Sequence, residues 1–458
     1  MLKRNAATPA SLLPMAITAL LLLAACAAPS GASRAAVKEP EAAAAPAAPV
    51  SESRTGLLGT VVTVTVYGRG AEPGSAAFEA AFAAATEVDE AMSVNRPDSE
   101  ISRVNESGFG AAVPVSEGTY AILEEALRIA ELSGGAFDPA IGGLTELWKE
   151  DGAFARLPSA EEIAAARPGA GAGNVELRAD GTVRLAFPGT RLDLGAIAKG
   201  YACDRAAEAL RGQGVSSALL DFGGNVYALG AKPGGEAYTI GIASPYPGDG
   251  SVACTVPAMD AAVVTSGGYQ KFFEEGGVIY HHILDPATGY PVEGNLLSVS
   301  IVAPSSTLAD GLSTACFVLG LDRGMALLDS IPEAEGVFIT ADGTIHVTAG
   351  LIGVVSPADD RFTLPQEEGV AVVYYENEPV KTLRLGQDRE YVFERDGMEN
   401  RILVEGGSVR VAEANCANQT CVQMGAHAAA GDMIVCLPHS LVIKIEEGAD
   451  LGADTVAG

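Results

Sequence analysis

Val and Thr alternate through GLLGTVVTVTVYG (56–68), and a period of two in β-branched residues predicts a strand. Apolar residues then fall at helical spacing along the Ala-rich stretch 75–93. A second helix is expected from Ser116, a suitable N-cap, to Leu132, where SGG stops it. A third runs from near Ala196 to Gly212. Strand-like runs follow at SALLDF, YTIGIA, AAVVTS, VIYHHIL and LLSVSIVA, then a helix at 306–320 and a short one near 322–330. EGVFITADGTIHVTAGLI reads as a hairpin turning at DG. Past a boundary near 358–369 the chain becomes short strands broken by EN, DG and GG. The pattern therefore predicts an α+β domain over about 54–358 and a small all-β domain over about 370–448.

The first residues follow another rule. In MLKRNAATPASLLPMAITALLLLAAC, Lys3 and Arg4 precede a short apolar run and small residues. That is the layout of a secretory signal peptide, too short and wrongly flanked for a spanning helix. LAAC at 23–26 resembles a bacterial lipobox. The resemblance implies removal of residues 1–25 and lipid attachment at Cys26, placing the protein on the extracytoplasmic face of the cytoplasmic membrane. The alternative is ordinary cleavage nearby. Residues 26–53 are rich in Ala and Pro without apolar periodicity and read as a tether.

With 458 residues and 48% apolar side chains, the chain can bury a large core. Its net charge of −29 argues against a nucleic-acid binder, which would need a basic stripe. Cys203, Cys254 and Cys316 sit in apolar contexts and read as small core residues. Cys416, Cys421 and Cys436 cluster near the C-terminus.

Common catalytic signatures are missing: the chain has no GxxxxGK[ST], GxSxG or HExxH, and GAGAGN (169–174) follows no strand. What remains are polar residues inside Gly-rich, otherwise apolar stretches. Asp138 lies in GGAFDPAIGGLTELW, Asp193 and Lys199 in LDLGAIAKGYACDRA, and Ser266 and Tyr269 in VVTSGGYQKFF. His282 and Asp285 lie in YHHILDPATGYPV, and Asp310 and Thr314 in ADGLSTACFVLG. Each has a purely structural reading. Asp138 and Asp285 precede prolines and can start turns. Lys199 can be a surface residue, and His282 a bonded strand residue. Asp310 can cap a helix, and Thr314 can bond back to the carbonyl of residue 310. Five such stretches in one domain argue together for a site.

These motifs, in this order, resemble the ApbE family of FAD:protein FMN transferases over about residues 56–355: MSVNRPDSEISRVN, GGAFDP, LDLGAIAKGYACDRAAEAL, LLDFGGNVYALG, TSGGYQKFF, HILDPATGYPV and TLADGLSTACFVLG. The resemblance implies an ApbE-type α+β domain that binds FAD with Mg²⁺. It implies transfer of FMN to a Thr or Ser hydroxyl of a partner protein, releasing AMP; some members hydrolyse FAD instead. It further implies that Asp310, Thr314 and the backbone oxygen of Ala196 hold the metal, with Ser313 close enough to help. Hard oxygen donors suit Mg²⁺ rather than zinc or copper. Asp138, Asp193 and Lys199 would contact FAD, and Leu58, Ala136, Phe137 and Leu284 would pack against it. His282 would be the general base, with a near-neutral pKa suited to that work. His281, alternating with it on a strand, would point away. Asn95 stands where the family often has Tyr or Phe to stack on FAD, which bears on affinity and on the balance of transfer against hydrolysis. DGLSTAC (310–316) fails the acceptor pattern D-x-x-[ST]-[GSA]-x-T at Cys316, so the acceptor should be a separate FMN-binding protein. The rival readings are an FAD pyrophosphatase and a flavin-carrying lipoprotein without chemistry.

The segment NCANQTCVQMGAHAAAGDMIVCLPHSLVIKIE (415–446) resembles NusG domain II and implies a small β fold. Two cysteines are expected as a disulfide with one free, ahead of a Cys₃His metal site with His439.

Overall fold

A computed structural model describes residues 48–364, 369–386, 388–429, 431–446 and 455–457. The expected signal peptide, Cys26 and most of the tether lie outside these residues. The tether was expected to extend to residue 53, but strand β1 (Val50–Leu57) takes its last four positions. It pairs antiparallel with β2 (Thr60–Val66). Ser51 Oγ bonds Thr65 Oγ1 at 2.7 Å, and Ser53 Oγ bonds Thr63 Oγ1 at 2.9 Å. Cross-strand hydroxyl pairs hold this edge, so no apolar alternation announces it.

The main sheet continues through β3 (Ala218–Phe222), β4 (Asn225–Leu229), β5 (Ala261–Gly267), β6 (Leu296–Ala303), β7 (Glu335–Thr340) and β8 (Ile345–Val347). Its eight strands lie side by side in chain order, every neighbouring pair antiparallel. The central strands are buried on both faces. On β3, Ala218, Leu220 and Phe222 enter the main core while Leu219 enters a second one. Likewise Val263 of β5 faces away from Ala262 and Val264. Period-two alternation thus sorts one apolar run between two cores.

Helices α1 (Ala76–Met92), α2 (Glu117–Leu132), α3 (Ala198–Gly212) and α4 (Ser306–Leu319) contribute to the main core. Ser116 caps α2, accepting from the Thr119 N–H, as its position predicts. The other core packs the sheet against the pair Tyr238–Ala243 and Val252–Ala258. The backbone of Thr455–Ala457 pairs parallel with Tyr238–Ala243. Among the helices without a counterpart in the sequence reading are Glu100–Ser107 and Ala160–Ala166. The second carries a full capping box, Ser159 with Glu162, a signal that spacing alone reveals.

Residues 370–446 form a separate core from two small antiparallel sheets. One joins Val370–Tyr375, Glu378–Arg384, Leu441–Glu446 and Met433–Cys436. The other joins Arg389–Arg395, Met398–Glu405 and Ser408–Ala414. This module touches the end of α5 (Leu321–Asp329): Arg389 pairs with the Asp329 carboxylate, and Lys381 Nζ lies 3.5 Å from its carbonyl. Among the described residues, no helix is long and apolar enough to cross a membrane.

Candidate active site

The candidate site lies at the junction of α3 and α4, which approach unusually closely. A Cβ on Gly200 would lie 2.2 Å from Ser306 O and 2.8 Å from Asp310 Cβ, so only glycine permits the contact. One turn further along α3, Asp204 receives the N-terminus of α4. Its carboxylate accepts from the N–H groups of Ser306 (2.8 Å) and Thr307 (2.9 Å) and from both hydroxyls, Ser305 and Thr307. Ser305 is the N-cap, accepting from Leu308 N–H.

Asp310 therefore lies inside the helix and is not its cap. It is 3% exposed. Its Oδ2 accepts the Gly200 N–H at 2.9 Å, and its Oδ1 is 3.9 Å from Lys199 Nζ. The Gly200 amide is the donor that would ordinarily bond the carbonyl four residues back. Among the described residues no backbone N–H donates to Ala196 O instead. A carboxylate oxygen, a bare carbonyl and the Thr314 hydroxyl one turn along α4 are thus available together.

Ser313 is different. Its hydroxyl donates to Asp310 O at 2.8 Å and bonds Ser266 Oγ of β5 at 2.7 Å, which leaves one acceptor lone pair on the oxygen. It makes the back-bond anticipated for Thr314. Thr314 Oγ1 instead lies 3.3 Å from Ser266 Oγ.

Lys199 Nζ is held at 2.8 Å by Asn225 Oδ1. Asn225 is fully buried, yet its Nδ2 has no partner among the described residues. An unpaired buried donor costs about 1–3 kcal/mol, so it stands ready for a ligand oxygen. Asn225 was missed by sequence reasoning, although an Asn inside the apolar run FGGNVYALG was the available signal. Asp221, just before it, accepts the Gly224 N–H at 2.8 Å; burial pushes its carboxyl up, against the pull of that bond and of Lys199. Tyr269, beyond β5, is also largely buried, and burial pushes its phenol up against the pull of a bond to Gln270.

The two adjacent histidines differ. His281 Nε2 lies 3.0 Å from Val292 O, and its Nδ1 accepts the Ile283 N–H at 3.3 Å. Both nitrogens are occupied. His282 follows the strand Val278–His281 and is not part of it. Its Nδ1 lies 3.1 Å from Lys271 O. A carbonyl only accepts, so the neutral ring carries its proton on Nδ1 and leaves Nε2 as a bare lone pair. Burial holds the imidazole down at about 4, aided by the cations Lys271 and Lys199. The expected near-neutral pKa is thereby corrected, because desolvation disfavours the charged ring.

The remaining candidates divide into framework and surface. Asp138 accepts from Ala140 N–H at 2.9 Å and Gly171 N–H at 2.6 Å, so it pins the GAGAGN loop; burial pushes its carboxyl up. Asp193 accepts from Gly195 N–H and the Thr145 hydroxyl, each at 2.9 Å. Asp285 starts a turn, accepting the Ala287 N–H. Phe137 and Leu284 are 2% and 4% exposed and belong to apolar cores. Ala136 is half-buried beside them. Leu58 sits in the β1–β2 turn at φ 52°, its N–H on Asp89 Oδ1 at 3.1 Å. Asp89 also holds Arg96 at 2.8 Å. That carboxylate, unnoticed in the sequence, ties the turn to the exposed loop bearing Asn95.

Fold and site together define an α+β protein with an oxygen-donor site between two packed helices, beside a lysine and a neutral histidine. The chain belongs to the ApbE family, whose profile matches residues 58–338. Residues 345–449 match NusG domain II. An FAD:protein FMN transferase from Treponema pallidum (strain Nichols) is 41% identical over 323 residues, covering 67% of this chain and 89% of that protein. The ApbE protein from Thermotoga maritima superposes with a TM-score of 0.61 at 33% identity, covering 66% of this chain and 98% of its own. Flavin transferase ApbE from Vibrio cholerae does so at 0.56 and 29%, covering 66% and 97%.

Proposed function

We propose that this chain is an FAD:protein FMN transferase that moves FMN from FAD to a Thr or Ser hydroxyl of an acceptor flavoprotein and releases AMP, with Mg²⁺ as cofactor. The observation that carries this reading is the set of oxygen donors with remaining acceptor capacity at the α3–α4 junction: Asp310, Thr314 and the bare Ala196 carbonyl. The set fits a hard cation, and these three residues would hold it. Bound there, Mg²⁺ would offset pyrophosphate charge and favour departure of AMP.

The chain's own residues supply the rest. Lys199, fixed by Asn225, presents positive charge toward phosphate oxygens, and the free Asn225 Nδ2 offers a hydrogen bond. His282 Nε2 takes the proton of the acceptor hydroxyl as that oxygen bonds to the FMN phosphorus and the bond to the AMP oxygen breaks. Lys271 O holds the ring in the tautomer this requires. Spent residues (Asp138, Asp193 and Asp204) position the loops and helices around them. Cleavage before Cys26, with lipid attached there, would place this reaction at the extracytoplasmic face of the cytoplasmic membrane.

The test incubates the protein with FAD and Mg²⁺, with and without an FMN-binding domain bearing D-x-x-[ST]-[GSA]-x-T. AMP together with a covalently fluorescent acceptor is the expected result. AMP with free FMN in both tubes would make hydrolysis the activity, and bound FAD without AMP would make the protein a carrier.

A further inference from the structure

Cys416, Cys421 and Cys436 lie in the C-terminal module, away from the flavin site. All three are buried, and their Sγ atoms lie within 4.8 Å of one another. Cys416 and Cys421 are 3.7 Å apart. They arrive from different places: the loop after Ser408–Ala414, the short helix Thr420–Gln423, and the end of Met433–Cys436. Metal–sulfur bonds of about 2.3 Å hold thiolates roughly 3.8–4.0 Å apart. A disulfide would employ two of the three and leave the convergence of the third unexplained.

The surroundings are built for sulfur. Asn400, fully buried, directs its Nδ2 at Cys421 Sγ at 3.8 Å, while its Oδ1 is fixed by His439 Nδ1. The backbone amides of Asn418 and Gln419 bond toward Cys416. A buried amide spent on a sulfur atom is not explained by packing. It is how a neighbour orients and stabilises a thiolate ligand. His439, the sequence candidate for a fourth ligand, belongs to this supporting layer. Among the described residues no His, Asp or Glu joins the sulfur group within the same distance. Cys436 is followed by Leu437, 80% exposed, so the cluster lies just beneath the surface.

We propose that Cys416, Cys421 and Cys436 form a three-thiolate site for one soft monovalent cation, Cu(I). Structural zinc is almost always four-coordinate, whereas soft sulfur donors select Cu(I) without needing a nitrogen or oxygen partner.

The test uses the full protein, reduced and kept anaerobic, titrated with Cu(I) against a chromophoric Cu(I) chelator. One ion per chain is expected. Each of Cys416→Ser, Cys421→Ser and Cys436→Ser should weaken binding at least about tenfold, while Cys254→Ser leaves it unchanged. X-ray absorption of the unaltered protein, which requires no variant to fold, should show three sulfur neighbours. Equal binding by the unaltered protein and Cys436→Ser would overturn the proposal. So would a Cys416–Cys421 disulfide in the purified protein with no copper uptake after reduction.

Discussion

Within its first turns α4 meets two carboxylates, Asp204 and its own Asp310, that solve opposite problems. At its N-terminus, Ser305, Ser306 and Thr307 meet Asp204, and every oxygen of that carboxylate is consumed by the helix it receives. About one turn later Asp310 gives one oxygen to Gly200 N–H and keeps the other only loosely engaged, 3.9 Å from Lys199. The first carboxylate ends four bonding needs. The second creates one, because its bond to Gly200 deprives Ala196 O of a donor. Saturation marks structure, and unspent capacity in a buried place marks chemistry.

That contrast can be broken most forcefully at Asp310. Asp310→Asn keeps an acceptor for Gly200 N–H while removing the charge. FMN transfer should fall by several kcal/mol of transition-state stabilisation, about 10⁴-fold, with little change in the melting midpoint. A large melting shift instead would make Asp310 as structural as Asp204. His282→Ala should cost about 10²–10⁴-fold in kcat. Because the folded imidazole sits at about 4 rather than 6.5, it is neutral from pH 5 upward. The acid limb of kcat/KM in the unaltered enzyme should therefore fall near pH 4. The same depression means that protonation of His282 opposes folding: its contribution is complete above about pH 6.5 and is lost as pH drops toward 4. An acid limb at 6.5 would remove His282 from the role of base.

Changes on the structural side should act on stability first. Gly200→Ala drives a methyl into Ser306 O and should cost about 1–3 kcal/mol. Asp204→Ala removes the helix terminus support and should cost about 2 kcal/mol, read by thermal or denaturant unfolding. If Asp204→Ala unfolded normally but lost catalysis as completely as Asp310→Asn, the division between the two carboxylates would fail. The smallest expected effect is at the exposed Asn95, where Asn95→Tyr should lower KM for FAD a few-fold through ring stacking, on the order of 1 kcal/mol, with kcat nearly unchanged.

Much of this molecule is written in local pattern. Ser116 starts a helix because a hydroxyl before an amphipathic run accepts a free amide, and DG at 342–343 turns a hairpin because glycine tolerates positive φ, here 83°. The i, i+4 spacing of Asp310 and Thr314 places both on one helix face without any knowledge of the fold. The motifs around them were legible for the same reason, since polar residues in apolar, Gly-rich runs need an explanation.

What only the tertiary structure decided is which of those polar groups were already satisfied. Ser313 and Thr314 are neighbours in sequence, yet Ser313 bonds back to Asp310 O while Thr314 does not, and β5 delivers Ser266 within reach of both. His281 and His282 are neighbours too, and partners more than ten residues away, Val292 and Lys271, set their tautomers. Asn225, unnoticed in the sequence, is the fixed partner of Lys199. Sequence determines what each residue is able to bond. Packing removes water and chooses its partners, and a buried group's function is what that choice leaves undone.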